Sequence, residues 1–323
     1  MMQNRVHTLG LHIIDIVGKP VLKIPEGQDV VMIEEIHLCV AGTAAATAMA
    51  LRKLGIDVST IGCIGNDLMG RVLIDLMRVA GVDISRIRTV PGLPTSASIL
   101  PIRPNGERPA LHVIGATADL RESDICLDAI FPGDILHIGG TFLIPGLDGE
   151  PTRRLAEAAK SRGAIVTMDF IPYARPDLHE ILIPTLPFLD YIFPNLEDAQ
   201  YFAGLEHRED VAKFYHAYGV GCTVITMGAD GVFIWPKNAE EILIPAIQVD
   251  VVDTSGCGDA FAAGFLSGLI EGLSIEECGF RGVACGSLVA TGLGSDAGLQ
   301  DRPQVLKFME ISRKKTVASL ASS

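Results

Sequence analysis

Short runs rich in β-branched residues alternate with helical stretches along most of this chain, and that alternation narrows the fold more than any other feature. The β-like runs cover residues 6–11, 58–63, 135–138, 165–168, 191–193 and 224–226, with helical stretches at 44–54, 68–79, 152–162 and 210–218. Runs joined in this way make a mostly parallel sheet with crossover helices on its faces. Gly55, Gly81, Gly163 and Gly219 each follow a helical stretch, where a residue that tolerates a left-handed backbone ends a helix. The expected fold is therefore α/β, with residues 1–323 forming one large unit.

Two stretches break the alternation. Residues 20–36 and 95–113 read as pairs of strands, the second turning at Pro104-Asn-Gly106. Two arrangements fit: ordinary surface hairpins, or a small antiparallel sheet from about 17–38 and 93–115 that projects over the strand C-termini as a lid.

Charge and cysteine usage exclude several classes of partner. A formal net charge of −13, with no basic run longer than Arg313-Lys-Lys315, argues against nucleic acid. A small phosphorylated ligand stays compatible, since a helix terminus binds it locally. The longest charge-free apolar runs, 38–51 and 282–295, carry Gly, Ser or Thr and are short for a bilayer, so no membrane is expected. His12 and Asp15 interrupt the apolar run 9–17, which does not read as a signal peptide. Seven cysteines with no Cys-x-x-Cys pair suit neither a disulfide framework nor a zinc cluster, and the expected compartment is the reducing cytoplasm.

The chemistry concentrates in Asp253-Thr-Ser-Gly-Cys-Gly-Asp259. The β-branched run 242–252 before it reads as strand, and the stretch after it reads as a helix buried on most sides, uncharged from Ala260 until Glu271. Gly256 and Gly258 then lie at a helix N-terminus, where backbone N–H groups lack intrahelical acceptors and the macrodipole is positive. A phosphate fits there without a lysine. Asp259 beside it reads either as a base that takes a proton from an attacking hydroxyl or as a helix cap after a tight turn, and spacing alone leaves both open.

Further motifs follow in order: Ile64-Gly-Asn-Asp-Leu-Met-Gly70; Gly106-Glu-Arg with Leu111-His and Gly115-Ala; Pro194-Asn-Leu-Glu-Asp-Ala199; and Thr226-Met-Gly-Ala-Asp-Gly231. Together with Asp253–Asp259 and the Ala-Phe-Ala-Ala-Gly-Phe that follows, they resemble the ribokinase-like (PfkB-type) carbohydrate kinase family over nearly the whole chain. The resemblance implies a three-layer α/β/α domain with a mostly parallel central sheet and a small antiparallel β lid. It also implies transfer of the γ-phosphoryl group of ATP, with magnesium, to a hydroxyl of a sugar or nucleoside-like molecule.

Carried over residue by residue, the resemblance makes Asp259 the catalytic base and the N–H groups of Gly256, Cys257 and Gly258 the anion hole. Thr226, Gly228 and Gly231 match the nucleotide loop. Asn195 matches the start of an Asn-x-x-Glu motif, in which Asp198 replaces the usual glutamate as the magnesium carboxylate, acting through water. Asp253 and Ser255 match positions that hold a monovalent cation, potassium, with carbonyls from 289–298. Asp15, Gly42 and Thr43 match substrate positions, and a homodimer paired through the lid is the implied assembly. A non-catalytic sugar- or nucleotide-binding protein on the same fold is the alternative.

This chain departs from the family pattern where the acceptor would bind. Ala46 stands where an asparagine is expected, Thr117 replaces the asparagine of Gly-Ala-Asn, and Asp169-Phe-Ile-Pro-Tyr173 lacks the Asp-x-Asn-x-Arg pattern, leaving Arg175 nearby. Lys19, Lys23, Arg103 and Arg108 are lid-region cations that either meet an anionic substrate or are simply solvated. Cys257 is either a small residue tolerated in a turn or a thiol activated by the helix N-terminus.

Overall fold

A computed structural model describes residues 4–104 and 107–321, with side chains described to residue 314. The strands are β1 Val6–Gly10, β2 Ile13–Lys19, β3 Glu35–Ala41, β4 Val58–Gly65, β5 Asp83–Val90, β6 Ala97–Pro101, β7 Leu111–Val113, β8 Ile135–Thr141, β9 Ile165–Phe170, β10 Tyr191–Ile192, β11 Cys222–Thr226, β12 Val232–Pro236 and β13 Ile242–Ile244. The helices are α1 Thr43–Lys53, α2 Leu68–Val79, α3 Glu150–Ser161, α4 Leu178–Leu182, α5 Leu196–Ala203, α6 Arg208–Ala217, α7 Cys257–Ile270, α8 Ile275–Val289 and α9 Arg302–Ala321. Among the described residues no helix is long and apolar enough to cross a membrane.

The main sheet runs β13-β12-β11-β10-β9-β8-β1-β4-β5. Every pairing from β11 to β5 is parallel, and β12 and β13 close one edge antiparallel. Its central strands are buried on both faces, which is why β4 and β8 read as continuous runs rather than alternating ones. One face packs α1, α2, α7, α8 and α9 through residues such as Met49, Leu73, Phe261, Val283 and Val305. The other packs α3 to α6 through Leu155, Leu182, Phe202 and Tyr215.

Strand order reverses between β1 and β8, and in such sheets ligands bind in the crevice beyond the strand C-termini at that point. Backbones meet there with no room for side chains: a Cβ on Gly10 would lie 1.8 Å from the Gly139 oxygen, and one on Gly139 would lie 2.7 Å from Thr43 Oγ1. The N-terminus of α1 is thereby pressed into the crevice.

The second sheet is β3-β2-β6-β7, with antiparallel outer pairs and a parallel β2–β6 pair between them. Two sequence expectations shift. Residues 20–34 are not a strand pair; the strands lie to either side, because Pro20 and Pro25 cannot donate ladder hydrogen bonds. The run 242–252 is strand only to Ile244, since Pro245 ends the pairing with β12. Residues 105 and 106 of the expected Pro104-Asn-Gly106 turn lie outside the described residues, although β6 and β7 do pair on either side of it.

Candidate active site

Helix α7 opens onto the crevice because its start is unusually tight. Its N-cap, Gly256, has φ 71°, and a Cβ there would sit 2.0 Å from the Ser295 oxygen, so only glycine fits. No side chain caps the helix. The amides of its first turn therefore point outward without intrahelical acceptors, and Cys257 N–H makes only a long 3.4 Å contact to Thr254 O. Asp253 holds the preceding turn: its Oδ1 accepts from Ser255 N at 2.9 Å and Ser255 Oγ at 2.8 Å, and its Oδ2 accepts from Gly294 N at 3.0 Å.

Asp259 lies in the first turn of α7 but does not cap it. Its carboxylate has no hydrogen-bond or ion-pair partner among the described residues, and burial pushes its pKa up to about 7. Arg108 opposes that rise and Asp15 adds to it. Asp15, on β2, is raised to about 6 by burial, with the hydroxyl of Ser98 and the charge of Arg108 acting against the shift. In the sheet register Asp15 stands between Cys39 and Ser98, and Ser98 faces His112, so one polar row crosses the second sheet. Ser98 Oγ and His112 Nδ1 are 3.1 Å apart.

A third carboxylate was not singled out by sequence reasoning. Asp169 pairs with Gly139 across β9 and β8, and its Oδ1 accepts from Phe170 N at 2.7 Å. Burial raises it well above the usual carboxylate range, and the charges of Asp259 and then Asp198 push the same way. Its signal was positional: an aspartate at the C-terminal end of a parallel strand.

Asn195 and Asp198 hold each other at the start of α5. Asn195 Oδ1 accepts from Asp198 N at 2.8 Å, and Asn195 Nδ2 donates to Asp198 Oδ2 at 2.6 Å. Burial lifts Asp198 to about 6, with the bond from Asn195 acting against it. A backbone bridge pairs Asn195 with Thr226, which joins this pair to the turn after β11. Thr226, Gly228, Gly231, Cys257 and Gly258 then line one cavity of about 310 Å³, whose remaining walls include Ile247 and Phe261. The expected nucleotide loop and the expected anion hole open into the same space.

On the acceptor side, Gly42 caps α1 with φ 88°, and Thr43 Oγ1 is buried with no hydrogen-bond partner. Thr141 Oγ1, at the end of β8, is likewise buried and unpaired. Thr117, by contrast, turns inward onto Ser96 Oγ at 2.6 Å. Arg175 is taken by Asp177 at 2.5 and 2.7 Å and lies 3.6 Å from Asp148. Among the other cations, Arg103 donates to Leu22 O, whereas Arg108 Nε donates to Thr254 Oγ1 at 3.2 Å. Of the two readings of Cys257, burial favours the inert one: it pushes that thiol up to about 12, with Arg108 acting against the rise and Asp253 and Asp259 adding to it.

The sequence model described as pfkB family carbohydrate kinase matches residues 3–302. The ribokinase of Haemophilus influenzae is 27% identical over 281 residues, covering 85% of this chain and 88% of its own. The cytidine kinase of Thermococcus kodakarensis is 28% identical over 274 residues, covering 84% and 92%. Among solved structures, ribokinase from Thermotoga maritima has a TM-score of 0.79 at 26% identity, over 95% of this chain and 99% of that one. A putative ribokinase II from E. coli in complex with ATP and Mg2+ has a TM-score of 0.81 over 95% and 99%, a likeness of fold at 20% identity. Both sheets and the Asp253–Asp259 motif fall within the matched span, and the chain belongs to the pfkB family of carbohydrate kinases, phosphotransferases with an alcohol group as acceptor.

Proposed function

We propose that this protein transfers the γ-phosphoryl group of ATP to a hydroxyl of a sugar or nucleoside-like molecule, with Asp259 as general base. The observation that carries the reading is the unpaired Asp259 carboxylate, raised to about 7 in the first turn of an uncapped helix. The acceptor hydroxyl gives its proton to Asp259 while its oxygen bonds to the γ-phosphorus. The bond from that phosphorus to the β–γ bridging oxygen breaks, and ADP leaves with the electron pair. The N–H groups of Gly256, Cys257 and Gly258 receive the charge on the moving phosphoryl group.

A largely apolar cavity of about 310 Å³ suits a nucleoside base and ribose, with Thr226, Gly228 and Gly231 bringing backbone to its rim. Magnesium, when bound, supplies charge neutralisation of the phosphate oxygens. Asp198, oriented by Asn195, would hold it; burial lifts this carboxyl to about 6 with no ion pair among the described residues, a deficit that a divalent cation makes good. Asp253 has three of its roughly four acceptor sites taken by protein donors, leaving one for a potassium ion shared with Ser255. Equal turnover in sodium-only and potassium buffers removes that element.

Asp15 accepts hydrogen bonds from acceptor hydroxyls, and Gly42 and Thr43 bring the start of α1 against them. The test is phosphorylation of a panel of sugars, phosphosugars and nucleosides with ATP and magnesium, with Asp259→Asn as control. If no member reacts faster with the wild type, yet ligands shift its melting temperature, the protein is a sugar- or nucleotide-binding relative instead. Ile36, Leu111 and Val113 leave an apolar rim on β3 and β7, which supports a homodimer through the second sheet, to be checked by sedimentation. All seven cysteines are free thiols, as a reducing cytoplasm keeps them.

A further inference from the structure

Residues 290–301 join α8 to α9 without a helix or strand of their own, so contacts from other elements fix their place. Within them, 294–296 back the anion-hole turn. A Cβ on Gly256 would lie 2.0 Å from the Ser295 oxygen and 2.6 Å from its Cα, so the two backbones meet with no side chain between them. Gly294 N donates to Asp253 Oδ2 at 3.0 Å, a second tie between this stretch and the turn. The stretch is held in its turn by Lys53, in the last turn of α1: Nζ donates to Asp296 O at 2.5 Å and to Asp296 Oδ2 at 2.9 Å. Arg52 beside it is an ordinary helix-end cation, donating to Ile56 O at 2.9 Å in the loop that follows. Lys53 instead reaches a residue 243 positions away.

We propose that Lys53 is a positioning residue for phosphoryl transfer: its ammonium fixes the Asp296 backbone, and through the neighbouring Ser295 it fixes Gly256 and the amides of the anion hole. The inference rests on the kinase reading above and adds a residue to it. An ammonium bonded to both the main-chain oxygen and the carboxylate of one residue holds that residue's backbone as well as its side chain. Lys53 and Asp296 are only 23% and 21% exposed, so water screens this pair less than it screens a surface ion pair. Gly256, with φ 71° and no side-chain cap, takes its place from what packs against it. Amides stabilise a phosphoryl group only when preorganised at the right distance, and a misplacement of about 1 Å costs up to roughly 10²-fold. The other end of α1 carries Gly42 and Thr43, so one helix bears on the proposed acceptor floor and, through Lys53, on the anion hole.

The test avoids the unknown acceptor. Calorimetry in one potassium buffer measures binding of ADP with magnesium, alone and with aluminium fluoride, a planar mimic of the phosphoryl group in flight. Lys53→Met is expected to bind ADP as the wild type does and to lose roughly tenfold in affinity for the aluminium fluoride complex, because the amides that meet the mimic shift and the nucleoside cavity does not. Lys53→Arg should recover most of that loss, since a guanidinium keeps the charge and has donors for both oxygens. Asp296→Asn keeps both acceptor oxygens without the charge and should lose less than Lys53→Met; it carries the comparison if Lys53→Met does not fold. Melting temperatures verify the folding of each variant. Equal affinities of wild type, Lys53→Met and Asp296→Asn for the mimic overturn the proposal and leave the kinase reading standing. So does a Lys53→Met loss of the same size for ADP alone, which assigns the pair to general stability. A wild type whose affinity for ADP gains nothing from aluminium fluoride sinks both.

Discussion

Asp259→Asn is expected to make the protein more stable and nearly inactive, and the two effects come from one cause. Burial raises the carboxyl from 3.8 to about 7, so the folded state resists its ionisation while the unfolded chain does not. For a carboxylate raised on folding, stability is fully present below the unfolded value and is lost as pH rises through the folded one. At about 1.36 kcal/mol per unit, the full shift amounts to roughly 4 kcal/mol above pH 7. The side chain keeps some exposure to the cleft, and water there screens the penalty to about 2–4 kcal/mol. Asparagine has the same shape and no charge to lose. Urea unfolding of both proteins at pH 5 and pH 8 reads the effect, because groups that do not feel Asp259 cancel in the difference, while Asp15 and Asp169 lose a like charge with the substitution and add to it in the same direction. The gain from the substitution should exceed its pH 5 value by about 1–2.5 kcal/mol at pH 8. In the same preparations, kcat should fall by about 10²–10⁴, the usual contribution of a general base. A stability difference independent of pH refutes the reasoning, whatever happens to the rate.

The pH profile of kcat/KM for the free enzyme should rise through an apparent pKa near 7, because Asp259 must lose its proton to act; a profile flat from pH 5 to 8 contradicts that role. Thr43→Val deletes a buried hydroxyl that has no partner, so stability should hold or rise by about 0–1 kcal/mol while KM for the acceptor rises about tenfold; an unchanged KM removes Thr43 from the pocket. Cys257, held near 12, should react with iodoacetamide at pH 7.5 far more slowly than exposed Cys126, as peptide mapping over time would report; comparable rates contradict the burial argument.

The two halves of this site were unequally legible in the sequence, and the reason is geometric. An anion hole at a helix N-terminus is built from consecutive residues, so Gly256, Cys257, Gly258 and Asp259 announce themselves together, and the turn of Thr226 to Gly231 does the same. The alternation of strands and helices was equally local, and it gave the parallel sheet directly, overreaching where prolines 20, 25 and 245 end or prevent pairing and passing over β5 and β12. The proposed acceptor side draws on single residues from separate elements: Asp15 from β2, Thr43 from α1, Thr141 from β8 and Asp169 from β9. Asp15 and Thr43 were placed there by the family resemblance alone, and Thr141 and Asp169 have no sequence neighbour that marks them. Asp169 became visible only through its register with Gly139 and the charge it shares with Asp259, ninety positions along the chain by number. The same logic explains why the missing amide at Ala46 says less about substrate than its absence suggested. Ala46 is buried in α1, and Thr43, one turn earlier on that helix, reaches the crevice floor where Gly139 leaves space. A pocket that replaces an amide with unpaired hydroxyls from two elements offers donors and acceptors that rotate. It should therefore tolerate several arrangements of neighbouring hydroxyls, and the acceptor panel is expected to show graded activity across related sugars or nucleosides; turnover of a single member, with its epimers wholly inert, contradicts that account.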